Sequence, residues 1–290
     1  LKRFDYITAH TVTEALKMLA ENSPSALPIA GGTALLVQMK RSQAFPKTLV
    51  DIAGIQELYG IELTEEALRI GSMVSHAEII SSPLIREYVP VLADASASVG
   101  APQTRNLGTV GGNLASLVPS MDCAPPLLAL GAQVGVVQQD GYRRISLEEF
   151  FAGSERCLST PDRLLTEILI PGASLGKASS FIKFGRRKGM SLSLVNASAF
   201  IELDEAGDRF VRVRLALGAV APTPIRARKA EKFLEGKRIR NEILIDAGTI
   251  ASEDAKPIND FRASAAYRLE LVKVLTHRAL NEALNRKSRL

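Results

Sequence analysis

The sequence predicts an α+β fold in three consecutive parts: a small βαβ unit, a larger mixed α/β unit, and a closing antiparallel sheet with helices. Strands and helices alternate over the first fifty-odd residues, the pattern of parallel crossovers. Two apolar strands, residues 197–203 and 209–217, flank the short polar turn Glu205, Ala206, Gly207 and Asp208, which is the pattern of a hairpin. Helical periodicity then dominates to the end of the chain. These shifts in texture place the boundaries at 1–57, 58–176 and 177–290.

In the first part, residues 4–7 form a strand, and Thr11 or Thr13 caps a helix in which Ala15, Leu16, Leu19 and Ala20 recur at helical spacing. Residues 27–30 form a second strand ending at Gly31 and Gly32. Thr33 opens a helix through Leu35, Leu36 and Met39, and residues 48–52 form a third strand. In the second part, residues 68–71 are a strand and 75–80 a short helix. An Ala- and Ser-rich helix runs from Pro90 to about Gly100. Residues 101–113 show neither period and read as a long irregular loop, a type of segment that is usually functional. Strands follow at 132–137 and 165–170, with a turn at Asp140 and Gly141. After Pro222 and Pro224 come helices at 227–234, 243–252 and 263–284, the last spacing Leu269, Val272, Leu275, Ala279 and Leu284 along one face.

Composition excludes several classes. Among 290 residues, 46% are hydrophobic and 23% charged, as in a globular protein with a sizeable core rather than a disordered chain. The net charge of +5 is dispersed, there is no Trp and only 5% of residues are aromatic, so a nucleic-acid partner is not expected. The richest apolar stretch, residues 123–137, is interrupted by Pro125, Pro126 and Gly131 and falls short of the ~20 residues that a membrane span needs. The charged start has no apolar run behind it, so no signal peptide is expected, and the reading is a cytoplasmic protein. Two cysteines, Cys123 and Cys157, suit a reducing compartment and cannot supply the roughly four ligands of an iron–sulfur cluster. His10, His76 and His277 have no metal-ligand spacing, so no metal site is expected.

Two short loops carry the chemistry. In Ile29, Ala30, Gly31, Gly32, Thr33, Ala34, Leu35 and Leu36, a strand runs through a glycine pair into a helix start. Glycine there permits positive φ and close approach of a ligand to the backbone; Gly-Gly in such turns also serves plain packing. Residues 103–113 gather three glycines, two threonines and two asparagines, a composition able to surround a pyrophosphate with N–H groups and hydroxyls. Neither loop is a G-x-G-x-x-G turn or a G-x-x-x-x-G-K-[ST] phosphate loop. No Ser/His/Asp, Cys/His or paired-carboxylate arrangement is evident, so no catalytic side chain is assigned.

The motifs A-G-G-T at residues 30–33, R-N-x-G-T-V-G-G-N at 105–113 and P-x-x-D at 119–122 resemble those of the FAD-binding medium subunit of molybdenum hydroxylases, the xanthine dehydrogenase and carbon monoxide dehydrogenase family. The resemblance continues through residues 127–132, Phe181 with Lys183, Arg186 with Arg187, and 221–236. It implies a PCMH-type FAD-binding domain followed by a C-terminal flavoprotein domain. It further implies that residues 29–35 (Ile29, Ala30, Gly31, Gly32, Thr33, Ala34, Leu35), together with Asn106, Thr109, Val110, Gly111, Gly112 and Asn113, hold FAD. By the same likeness Asp122 hydrogen-bonds the cofactor, Lys183 lies near the flavin, and Ile168 or Leu169 packs by the ring system.

On their own residues, Asp122 reads as a cap of the helix that begins near Pro125, and Lys183 as a surface lysine on a strand. Arg186, Arg187 and Lys188 read either as a solvated turn or as a site for a partner or phosphates. Replacing Gly111 or Gly112 by a bulky residue is expected to abolish flavin retention and spare the fold.

The function implied is an oxidoreductase subunit that relays electrons. A large molybdopterin subunit would reduce 2Fe-2S clusters in a small subunit, and FAD on this chain would pass the electrons to a final acceptor, the cofactor carrying the chemistry. A heterohexamer, as a dimer of heterotrimers, is implied by the same likeness. The alternative is a self-contained PCMH-type flavin oxidoreductase, for which Cys123 and His76 are the candidate groups near the ring.

Overall fold

The computed structural model describes residues 2–152 and 163–287. Cys157 lies outside them. The chain forms two compact units. The first comprises Leu1–Ile79, Pro102–Leu117 and Ala132–Gly172, and the second Ile80–Ala101, Val118–Gly131 and Ala173–Leu290.

The first unit opens with β1 (Asp5–Thr8), α1 (Val12–Glu21), β2 (Ala26–Ile29), α2 (Leu35–Lys40) and β3 (Thr48–Asp51), with parallel strands in the order β1-β3-β2. Alternation along the central strand explains why helices cover both faces. Val50 packs with Ala15, Leu16 and Leu19 of α1, whereas Leu49 packs with Met39, Leu35 and Leu36 of α2. Of the two candidate caps Thr11 is the one used, its hydroxyl accepting from the Glu14 amide at 3.1 Å, an interaction worth about 1 kcal/mol. Thr33 does not open α2. The helix begins at Leu35 without a side-chain cap, because Gly32 at φ +67° turns the chain before the helix can start.

The same unit contains a five-stranded sheet of β4 (Ile61–Leu63), β5 (Ala67–Gly71), β6 (Gln133–Gln138), β7 (Gly141–Ser146) and β8 (Arg163–Pro171), in the order β4-β5-β8-β6-β7 with antiparallel pairing. The sequence did not show β7. It is an edge strand bearing Tyr142, Arg143 and Arg144 outward, so it lacks the apolar alternation that marks a strand. Further helices are α3 (His76–Ser81), α4 (Pro83–Tyr88) and α5 (Pro90–Ala97).

Residues 101–113 are a correction to the expected irregular loop. They fold into α6 (Pro102–Leu107) and α7 (Val110–Ala115), each too short to display a helical period in sequence. Thr109 starts α7 by accepting the Gly112 amide on its hydroxyl at 3.0 Å.

In the second unit α8 (Ala124–Leu130) ends in a left-handed Gly131. Outside this unit, α9 spans Leu147–Ala152. A four-stranded antiparallel sheet, order β12-β11-β10-β9, is formed by β9 (Ala178–Gly185), β10 (Ser193–Leu203), β11 (Phe210–Gly218) and β12 (Ile225–Arg226). Helices α10 (Arg228–Leu234), α11 (Asn241–Ala251) and α12 (Ala265–Lys287) follow. The predicted hairpin and helices are all present. Val272, Leu275, Ala279, Leu280 and Ala283 of α12 share one core with Val195, Ala197 and Ala199 of β10 and with Leu244 and Ala247 of α11. Burial of that apolar stripe, at about 25 cal/mol per Å², is what holds the helices on the sheet.

Candidate cofactor site

In the first unit the two glycine loops, seventy residues apart in sequence, meet directly. A Cβ placed on Gly31 would lie 1.6 Å from the Leu107 carbonyl oxygen, so only glycine allows the first loop to pass under the second. The Thr33 hydroxyl and the His76 ring flank Gly108 in the same way.

The loops differ in what they offer. Among the described residues, the amides of Gly31, Gly32, Thr33, Ala34 and Leu35 donate to no protein group. Such a run of unpaired, partly exposed amides forms a concave donor surface suited to phosphate oxygens. In the second loop most amides are used internally. Val110 donates to Val74, Gly111 to Ser72 and Asn113 to Thr109, while Gly112 caps on the Thr109 hydroxyl. What this loop leaves is the Asn113 side-chain oxygen, buried and without a hydrogen-bond partner among the described residues. A buried polar atom left unpaired calls for a ligand or water.

The remaining first-unit candidates sit around these loops. Ile29 ends β2 at 7% exposure, Ala30 leads into the glycine pair, and Asn106 is exposed on α6. Ile168 is fully buried in β8, paired with Ile70 and Val134, on the strand against which α7 packs.

Asp122 and Lys183, sixty-one residues apart, meet in the second unit. Lys183 Nζ donates to Asp122 Oδ2 at 2.5 Å and to the Ser98 carbonyl at 2.9 Å. Ser193 Oγ donates to Asp122 Oδ1 at 2.7 Å and Asn196 Nδ2 to the same oxygen at 3.2 Å. Neither expectation from the residues alone stands: Asp122 does not cap α8, whose N-cap is Cys123 without a side-chain bond, and Lys183 is a largely buried ion-pair partner on β9, not a free surface lysine. Burial pushes the Asp122 carboxyl upward, against the opposing pull of Lys183, Ser193 and Asn196.

Beside Lys183 opens a cavity of about 370 Å³ lined by Ser98, Phe184, Gly185, Arg187 and Lys188. Arg186, Arg187 and Lys188 form the turn after β9, with Arg187 donating to the Met190 carbonyl.

Ser193 and Asn196 were not marked by the sequence, and no local pattern would have found them. A regular strand sends residues three apart to opposite faces.

The groups required by a self-contained flavin enzyme are poorly placed for chemistry. The Cys123 thiol is fully buried and pushed up to about 12 by that burial. His76 is lowered to about 4, by burial first and by the nearby Arg105 charge second, and is therefore neutral at pH 7. No cluster of three or more metal-ligating side chains occurs among the described residues.

Residues 2–173 match the model of the FAD binding domain in molybdopterin dehydrogenase, and residues 180–283 match the CO dehydrogenase flavoprotein C-terminal domain. The chain belongs to the FAD-binding subunit family of the molybdopterin dehydrogenases. The xanthine dehydrogenase FAD-binding subunit of Escherichia coli O157:H7 is 31% identical over 286 residues, covering 97% of both chains. The carbon monoxide dehydrogenase medium chain of Hydrogenophaga pseudoflava is 31% identical over 281 residues, again covering 97% of both. Among solved structures, carbon monoxide dehydrogenase from Hydrogenophaga pseudoflava superposes with a TM-score of 0.93 at 32% identity, over 98% of each chain. Quinoline 2-oxidoreductase from Pseudomonas putida 86 does so with a TM-score of 0.88 at 30% identity, also over 98% of each. This member of the family is thus a flavoprotein subunit of an oxidoreductase, with the α+β architecture that its motifs implied.

Proposed function

We propose that this chain is the electron-relay subunit of a molybdenum hydroxylase, receiving electrons from 2Fe-2S clusters of a small partner and delivering them to a final acceptor. The observation that carries the reading is the run of five unpaired amides at residues 31–35, held against the Leu107–Gly108 backbone in a chain that matches the family's two domains over residues 2–173 and 180–283. FAD, when bound, supplies the conversion between single-electron and two-electron transfer.

The chain's own residues bind and orient. Ala30 and the amides of residues 31–35 would take the pyrophosphate oxygens, with Ile29 and Leu35 anchoring the loop in the core. Thr109, Val110, Gly111 and Gly112 set the shape of the second loop, and Asn113 and Asn106 supply its polar side chains. Ile168 of the first unit would contribute an apolar contact. In the second unit, Asp122 would accept from the cofactor and Lys183 would place a positive charge near the flavin. The domain boundaries we assign are 1–57, 58–176 and 177–290.

The partners are a small 2Fe-2S subunit and a large molybdopterin subunit, in a dimer of heterotrimers. No helix among the described residues is long and apolar enough to cross a membrane, and we place the complex in the cytoplasm.

The test is to purify the chain with FAD and record its visible spectrum and flavin content, then supply a reductant and candidate acceptors. Stoichiometric flavin with no turnover of organic substrates by the chain alone is expected. A colourless chain would overturn the loop assignment, and turnover without partners would support the self-contained flavin oxidoreductase.

A further inference from the structure

Asp122 has about four acceptor positions on its two carboxylate oxygens. Among the described residues Oδ1 accepts from Ser193 and Asn196, and Oδ2 accepts only from Lys183. One oxygen is thus saturated from within the fold, and the other keeps a position for an outside donor. Ser193 and Asn196 are both fully buried, and Asn196 Nδ2 also contacts Ser193 Oγ and the Met121 carbonyl, each at 3.2 to 3.3 Å.

These two donors can share one carboxylate only because β10 is irregular at its start. Ser193 pairs with Gly185 and Val195 with the adjacent Phe184, so Leu194 is an extra residue. A bulge of this kind re-aims the side chains around it, and here it turns residues three apart to the same side. The bulge is itself clamped. Arg268, 3% exposed on α12, donates to the Leu194 carbonyl at 2.5 Å and to the Ala219 carbonyl at 3.3 Å, and pairs with Asp260 at 3.0 Å.

We infer that Ser193 and Asn196, set by the bulge at Leu194, are positioning residues that hold the Asp122 carboxylate so that Oδ2 is presented to the flavin cofactor. This rests on the proposed function, in which Asp122 contacts FAD. The pair also opposes the upward push that burial exerts on the carboxyl. The charged group facing Asp122 is Lys183 of β9, the other titratable neighbour is the Cys123 thiol at the start of α8, and the two β10 residues are uncharged. With a donor removed, burial acts on the carboxyl with less opposition and its protonation moves toward neutral pH.

The experiment uses the full chain loaded with FAD, reading flavin content, visible spectrum and flavin midpoint potential from pH 5 to 8. Ser193→Ala removes one donor without adding volume, and Asn196→Leu removes the amide donor at similar volume without adding a titratable group. In both we expect retained flavin, with the spectrum and potential acquiring a one-proton transition absent from the parent chain. Asp122→Asn should shift both quantities and show no such transition. If Ser193→Ala and Asn196→Leu match the parent at every pH while Asp122→Asn is shifted, the positioning role is overturned and the cofactor contact stands. If Asp122→Asn itself matches the parent, Asp122 does not touch the flavin and the inference falls, whereas the wider reading falls only if the parent chain itself retains no FAD. Loss of flavin in both β10 variants would show a structural role and would also overturn the inference.

Discussion

Gly31 and Leu107 touch backbone to backbone, so closely that a methyl group on Gly31 would lie 1.6 Å from the Leu107 carbonyl oxygen. This contact brings the unpaired amides of residues 31–35 beside the second glycine loop. Backbone on both sides leaves nothing flexible to move. Gly31→Ala is therefore expected to lower the melting temperature sharply and to abolish flavin retention, read together by thermal denaturation and visible absorption.

Gly111 and Gly112 separate in their roles, which corrects the expectation that either could be replaced without harm to the fold. A Cβ on Gly111 would sit 2.5 Å from the Ser72 carbonyl oxygen, so Gly111→Ala should unfold or strongly destabilise the chain. A Cβ on Gly112 meets only the Thr109 hydroxyl at 2.9 Å, with the Ala30 Cβ at 4.0 Å. Loss of the Thr109 cap would cost about 1 kcal/mol, offset by a similar gain for replacing a helical glycine. Gly112→Leu should fold with a near-parental melting temperature yet retain little FAD, because its side chain fills the space toward the first loop. Retention of stoichiometric FAD by that folded variant would sink the assignment.

Lys183 and Asp122 are both largely buried, with side-chain exposures of 13% and 8%. Removing one member of such a pair strands the other, a loss of roughly 3–5 kcal/mol. Lys183→Met should show destabilisation of that order in denaturant titration. Combining it with Asp122→Asn should recover much of the loss, a coupling that a double-mutant cycle reads directly.

His76 gives the fold a pH dependence of definite sign. Its folded value is about 4 against an ordinary 6.5, so between these the unfolded chain binds more protons than the folded one. The stability contributed by neutral His76 is fully present above about pH 6.5 and is lost as the pH falls toward 4, up to roughly 3 kcal/mol. His76→Gln should flatten the stability profile over that window. An unchanged slope in that variant would place the titration elsewhere.

Cys123 is buried beside Ser96, whose hydroxyl lies 3.5 Å from the sulfur, and its thiol stays protonated at neutral pH. Peptide mapping after alkylation should find Cys123 unmodified in the folded chain and modified after denaturation. Rapid labelling in the folded state would restore it as a candidate for flavin chemistry.

The sequence alone determined the order of most of the longer strands and helices, though not β4, β7, β12 or the short helices α4, α6, α7 and α9, and it pointed to the family. Periodicity and caps act within some ten residues, so α12 and the β10–β11 hairpin were legible locally. The motifs likewise marked the glycine loops. Tertiary structure decided what each marked residue does. Gly31 and Gly111 are packing glycines because Leu107 and Ser72 lie against them, and neither neighbour is near in sequence. Asp122 is an ion-pair partner rather than a helix cap because β9 brings Lys183 to it. Ser193 and Asn196 reach the same carboxylate because one extra residue in β10, clamped by Arg268, breaks the two-residue alternation. Local propensity encodes elements, but contacts between distant residues arise only when the packed core fixes register, and that is where the geometry of this site is set.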